Sequence, residues 1–280
     1  MKFYSFTLFA AFAVFALGAC GKKAQAEPQP KKDSVAVAHD TVVEKPKVPS
    51  LTFQRFSKKQ NTKHSSIDVE FVLAYSKDYP NLAYVINEWV NEQLGGEFQG
   101  KLDDGNAMLR FYFKPSKDND EDSFTSEYSV KISKVYETSE FISLEVESYS
   151  YLGGAHGSPS FYGATFRKID GRRFDSSMII RNRLFNKYLI AGLIKAFEVK
   201  NKEELNDALE CSELGDFDDV DTRLLSLPLP TSDPWFTKDG LKFVYQPYEI
   251  GAFSVGMPTV CIPFSKLKPM LKASGKTYLK

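Results

Sequence analysis

Tyr128-Ser129-Val130-Lys131-Ile132 and, further on, Ile142-Ser143-Leu144-Glu145-Val146 alternate apolar and polar positions. A side-chain period of two marks half-buried strands, each with one face turned to a core. The polar stretch Glu137 to Glu140 between them reads as a turn. A third strand near Phe161 to Arg167 ends at Asp170-Gly171, a hairpin-turn signal. Three consecutive strands joined this way predict an antiparallel meander.

Working outward, Ile67, Val69, Phe71, Leu73 and Tyr75 predict a further strand. Pro80 suits the first turn of a helix whose Leu82, Val85, Ile86, Trp89, Val90 and Leu94 share one face, and Gly95-Gly96 stops it. Residues 105–114 suggest one or two more helical turns. Downstream, Phe185, Tyr188, Leu189, Leu193, Ala196 and Phe197 predict a helix over about 183–198. Asn201 with Glu204 reads as a capping box that opens a short helix. Residues 211–233, acidic and then proline-bearing, read as a long loop. Trp235-Phe236, Asp239-Gly240 and Leu241/Phe243/Tyr245 make a hairpin, Thr259 to Ile262 a last strand, and Ser265 the cap of a closing helix with Leu267 and Leu271. Strands and helices do not alternate regularly. The fold class is therefore α+β: an antiparallel sheet of meander and hairpins with helices on one face.

The N-terminus has a different character. Lys2 precedes an apolar run from Leu8 to Leu17, which is shorter than the roughly 20 residues that span a bilayer. Leu17-Gly18-Ala19-Cys20 resembles the bacterial lipobox. That resemblance implies a signal peptide over 1–19, cleavage before Cys20 and acylation of its thiol. The partner would be a lipid bilayer, reached through acyl chains that contribute about 0.8 kcal/mol per buried methylene. Residues 21–50 hold four prolines and six lysines but no aromatic, Leu, Ile or Met. Such a segment cannot bury enough surface to offset chain entropy, so 20–50 is expected to be a disordered tether. The remainder divides into a strand-helix subdomain over 51–123 and an α+β domain over 124–280.

Formal charge is balanced overall, with 36 basic and 36 acidic residues. Removing the basic leader and tether leaves the folded part slightly acidic, and it has no Lys/Arg stripe. Nucleic acid is not an expected partner. Cys211 and Cys261 are the cysteines left after Cys20, and an exported compartment permits a disulfide between them.

Two longer stretches carry a resemblance. One is Tyr149-Ser150-Tyr151-Leu152-Gly153-Gly154-Ala155-His156-Gly157. The other is Trp235-Phe236-Thr237-Lys238-Asp239-Gly240-Leu241, continuing through Tyr248-Glu249-Ile250-Gly251 to Ile262-Pro263-Phe264-Ser265. Together they resemble a family of extracytoplasmic domains of unknown function. It includes the outer part of the lysozyme-sensing anti-sigma factor RsiV and the accessory region of the peptidoglycan deacetylase PdaC. The resemblance runs from about 124 to 275, with 60–95 similar to a companion N-terminal half. It implies a role on the envelope side of a membrane, with peptidoglycan or a lysozyme-like protein as partner. The chain departs from those members in lacking a transmembrane helix with a sigma-binding segment, and in lacking a deacetylase catalytic domain.

The residues themselves allow two readings of the glycine-rich stretch. Gly153, Gly154 and Gly157 permit close backbone approach to a ligand, with His156 and Tyr151 beside it, or they serve only the geometry of a hairpin turn. Tyr248 and Glu249 form the second candidate region. A carboxylate at 249 in an apolar setting would be desolvated, with a raised pKa, and would suit acid–base work; alternatively it is paired or caps backbone amides. No zinc-spaced cysteine pair, His-Glu-x-x-His helix, Gly-x-Ser-x-Gly elbow or phosphate loop is present, so no catalytic residue, metal or cofactor is assigned. The acidic run Asp216, Asp218, Asp219 and Asp221 reads as a solvated loop. The expected function is a non-enzymatic binding lipoprotein of the cell envelope, on the periplasmic face of the outer membrane. Its ligand would be a peptidoglycan fragment, another glycan or an envelope protein. The alternative is a glycan or cell-wall hydrolase using His156 and Glu249.

Overall fold

In the computed structural model, residues 50–114 and 125–279 are described. Cys20 and the stretches expected to be a signal peptide and a tether, up to residue 49, lie outside them. Among the described residues no helix is long and apolar enough to cross a membrane. Pro46–Lys280 clusters as one compact unit.

The three strands of the meander form as expected: β3 (Ser126–Glu137), β4 (Phe141–Tyr151) and β5 (Ser158–Arg167) pair antiparallel in succession. They belong to a five-stranded sheet of order β1-β2-β3-β4-β5, with β1 (Thr52–Asn61) and β2 (Ser65–Tyr75) at the other side. The sheet is not wholly antiparallel, because β2 pairs parallel with β3. A parallel neighbour needs a crossover, and α1 (Pro80–Gln93) with α2 (Gly105–Tyr112) provides it. The edge strand β1 leaves little trace in the sequence: only Phe56 of Thr52–Asn61 is buried, so its side chains do not alternate in hydropathy.

Alternation along the strands builds two cores on opposite faces of this sheet. Val69, Phe71, Leu73, Ile132, Ile142 and Leu144 turn to one face and pack on Leu82, Ile86, Trp89 and Val90 of α1. Buried Asn87 locks the helix to β2: Ala74 N–H donates to its Oδ1 at 2.7 Å, and its Nδ2 donates to Ala74 O at 3.0 Å. Both halves of the amide are satisfied, which avoids the cost of about 1–3 kcal/mol for a buried orphan.

On the other face, Phe141 joins a second core with Phe174, Phe236, Phe243 and Tyr278. That core surrounds a three-stranded antiparallel sheet of β6 (Trp235–Thr237), β7 (Gly240–Val244) and β8 (Thr259–Ile262). It is completed by α3 (Arg183–Ala196), α4 (Lys202–Ala208), α5 (Val220–Leu225), α6 (Phe264–Leu267) and α7 (Ala273–Lys276). The larger sheet is thus covered on one face by α1 and, at its β4–β5 end, on the other face by the smaller sheet.

Three local expectations are corrected. The stretch 211–233 is not loop throughout, because Asp219 caps α5 by accepting Thr222 N–H at 2.8 Å and its hydroxyl at 2.7 Å. Its helical residues are too few to show a period. Ser265 is not a cap: it lies inside α6, and Pro263 occupies the position before the helix. Cys211 and Cys261 are free thiols, not a disulfide. Cys211 packs on the second core, whereas β8 turns Val260 and Ile262 to that core and Cys261 away from it. The Asn201 cap does form, with Glu204 N–H donating to its Oδ1 at 2.8 Å.

Candidate ligand-binding cleft

The β4–β5 connection carries the glycine-rich stretch. Gly153 and Gly154 have φ of +92° and +103°, which side-chain-bearing residues rarely adopt. Tyr151 O–H closes the loop by donating to Gly154 O at 3.1 Å. His156 follows at the surface. Its Nδ1 lies 3.0 Å from Gly157 O, and its Nε2 lies 3.0 Å from the Tyr248 hydroxyl. A carbonyl oxygen only accepts, so Nδ1 carries a proton and donates to Gly157 O, while Nε2 and the Tyr248 hydroxyl share the second hydrogen bond. The imidazole also stacks on Phe253, with centroids 3.8 Å apart, and Tyr248 lies 5.5 Å from the same ring. His156 and Tyr248, far apart in sequence, therefore meet, with Phe253 between their loops.

Glu249 does different work. Its Oε1 accepts Thr231 N–H at 2.5 Å and its Oε2 accepts Gln246 N–H at 2.7 Å. Both oxygens are spent on backbone amides, the capping role that the sequence left open. The turn so closed points Gln246 back at the large sheet. Its Nε2 donates to Phe161 O at 2.8 Å, and its Oε1 accepts Phe161 N–H at 3.2 Å. One side chain thereby continues the ladder at the outer edge of β5.

Next to this contact, Trp235 is fully buried against the sheet. Its Nε1–H donates to Glu145 Oε1 at 2.8 Å, and Lys242 Nζ donates to the same oxygen at 2.7 Å. Lys242 Nζ also lies 4.8 Å from the centre of the Phe161 ring, which meets Trp235 edge-on. Gly163 makes this possible, because a Cβ there would fall 2.2 Å from the indole.

Where the smaller sheet stops covering the larger one, a groove of about 560 Å³ opens. Glu147, Lys131 and Asp68 supply charges along it, and Tyr149, Phe161 and Met257 supply apolar surface. Asp68 pairs with Lys59 at 3.2 Å, and Glu70, also on the groove, with Arg55 at 2.5 Å. Tyr149 joins the groove to the hairpin, since its ring covers Gly157 beside His156. None of the sequence candidates lines this groove: Gly153, Gly154, Tyr151, His156 and Tyr248 belong to the hairpin cluster that Tyr149 joins to it, and Glu249 holds the turn next to Tyr248. Phe253, Phe161, Glu147 and Met257 were not singled out. Phe161 and Glu147 read only as strand residues, and Phe253 and Met257 lie in a loop with no period.

Two family models match parts of the chain. Residues 68–159 match the family model described as Deacetylase PdaC, and residues 184–265 match that described as Protein of unknown function (DUF3298). Both matches fall on descriptions that the resemblance named: a PdaC-type accessory region and a domain of unknown function. The glycine-rich stretch falls in the first and the Trp235 to Ser265 stretch in the second. The fold is shared with a DUF3298 family protein from Bacteroides fragilis, at 17% identity and a TM-score of 0.56, covering 83% of this chain and 99% of that one. It is shared also with one from Pseudomonas aeruginosa, at 14% identity and a TM-score of 0.53, covering 81% and 96%. Among curated proteins none matches.

Proposed function

We propose that this chain is a non-enzymatic binding module of the cell envelope, held on the periplasmic face of the outer membrane by acylated Cys20. The groove on the large sheet beside Met257 takes a peptidoglycan fragment or related glycan. The observation that carries this reading is the composition of the groove: Tyr149 and Phe161 offer ring faces for a sugar, and Glu147, Lys131 and the nearby hydroxyls offer polar groups that fix its orientation. The size of the groove, about 560 Å³, is in the range of small-molecule sites. A lysozyme-like protein is the other ligand the family resemblance suggests. The hydrolase alternative needs Glu249 as acid or base. Both of its oxygens already accept backbone N–H groups, which favours binding over catalysis.

Calorimetric titration of the unacylated full chain (Cys20→Ser) with purified muropeptides and with lysozyme tests the proposal, with mass spectrometry of the recovered ligand. The expected result is saturable binding of intact muropeptide, weakened about tenfold or more by Tyr149→Ala, as loss of one stacked ring of 1–3 kcal/mol implies for a base and by analogy for a sugar. Cleaved muropeptides would support the hydrolase instead. No binding of either ligand would overturn the reading.

A further inference from the structure

A second groove, of about 410 Å³, lies on the far side of the smaller sheet's helices, between α3, α4 and α5. Its α3 wall is a single helical stripe. Arg183, Lys187, Ile190 and Ile194 follow one another at spacings of four, three and four residues, which keeps them on one face. The stripe is polarised: cationic at the N-terminal end, aliphatic at the C-terminal end, where Ala191 and the half-exposed Leu225 of α5 add to it. Over these residues the helix rises about 16 Å.

The charges of the groove are unequal in their pairing. Lys202 is neutralised by Asp221 at 2.5 Å. Arg183 and Lys187 take part in no ion pair among the described residues, and no carboxylate other than Asp221 lines the groove. The first turn of α3 adds its own positive end to the same place.

We propose that this groove binds a single-chain anionic amphiphile. The anionic head lies at the N-terminal end of α3, against Arg183 and Lys187. The hydrocarbon runs along Ile190, Ala191 and Ile194 and under Leu225. Two unpaired cations beside an apolar channel select such a ligand over an uncharged or cationic one, since the cations exclude a like charge and an uncharged head leaves them without a partner. The size of the groove favours a small molecule over a protein helix. This site shares no lining residue with the groove on the large sheet and stands independently of the glycan reading.

Calorimetric titration of the unacylated full chain with decanoate, and with decyltrimethylammonium as the cationic counterpart of equal chain length, tests the proposal. Decanoate is expected to bind below its micellar range, and the cation at least tenfold more weakly. Arg183→Gln with Lys187→Gln should weaken decanoate at least tenfold. Ala191→Trp should abolish binding by filling the channel, with far-UV circular dichroism confirming that the variant is folded. Muropeptide binding should be unchanged in both variants. Absence of decanoate binding, equal binding of the two amphiphiles, or full binding by either variant would overturn the assignment.

Discussion

The two cores that flank the large sheet hold similar shares of rings but are assembled from different elements. On one side a single long helix, α1, lays a mainly aliphatic stripe across four strands, and one buried amide, Asn87, fixes its position. On the other side no strand of the smaller sheet exceeds five residues, and rings fill the space: Phe236 contacts Phe141, Phe174, Phe264 and Tyr278 at centroid distances of 5.0, 4.9, 5.7 and 6.0 Å. Short elements present little periodic surface, so their places are set by ring geometry and by side chains that bond to distant backbone. Tyr278 O–H donates to Arg172 O at 2.7 Å, Tyr245 O–H to Pro228 O at 2.8 Å, and Thr165 Oγ1 accepts Phe236 N–H at 2.8 Å. Burial pushes the Tyr278 and Tyr245 phenols up, so both remain donors at any physiological pH. Where the two constructions meet, they leave the groove.

If the second core depends on ring geometry, it should be the less tolerant of the two. Phe236→Ala should cost about 4 kcal/mol, and Phe236→Leu about 2–3, because ring contacts are lost as well as volume. On the α1 side Ile86→Leu, which keeps the side-chain volume, should cost under about 1.5 kcal/mol. Urea denaturation checks all three, and equal costs for the two leucine variants would erase the contrast. At the seam, Gly163→Ala puts a Cβ into an indole held by Glu145, and should cost about 2 kcal/mol through overpacking. A red shift of tryptophan emission should accompany it.

A smaller effect belongs to the rim of the sheet. Lys168, only 5% exposed, donates to Glu137 Oε1 at 2.6 Å, and Lys134 to Oε2 at 2.8 Å. Burial alone would raise the Glu137 pKa, but the hydrogen bonds from Lys134 and Lys168 outweigh it and leave the pKa lowered. A lowered carboxylate pKa stabilises the fold above the unfolded-state value, and that contribution is lost as pH falls through the folded-state value. Glu137→Gln should cost about 1.5 kcal/mol near neutral pH. The gap between variant and wild type should shrink below about pH 4.5, the ordinary carboxylate value. A gap that widens on acidification would contradict the assigned pairing.

The long elements were legible in the sequence because burial on one face writes a period into them. The α1 stripe, the alternation of β3 and β4, the Asn201 cap and the Asp239-Gly240 turn are all local signals. The edge strand β1 was not, since both its faces carry mostly polar side chains, and neither was α5, which offers too few residues for a period. The parallel β2–β3 pairing depends on where a crossover returns, which no local pattern records. The cleft was half legible. Glycines and a histidine marked the hairpin, and Tyr248-Glu249 marked the opposing turn. Their meeting is a property of the fold: Gln246 bonded to the edge of β5 brings Tyr248 to His156, while Glu249 turns inward to the backbone.

The central claim is that the two cores, joined through β4, β5 and Trp235, form one cooperative unit with the cleft at its seam. The chain has two tryptophans, Trp89 in the core around α1 and Trp235 at the seam. Trp89→Phe and Trp235→Phe therefore each leave a reporter of one region. Urea unfolding of each variant, followed by tryptophan emission and by far-UV circular dichroism, tests the claim directly. The account predicts that within each variant the two signals share one midpoint. Emission from either tryptophan that changes at a urea concentration where most secondary structure persists would show two separately folding halves, and would contradict it.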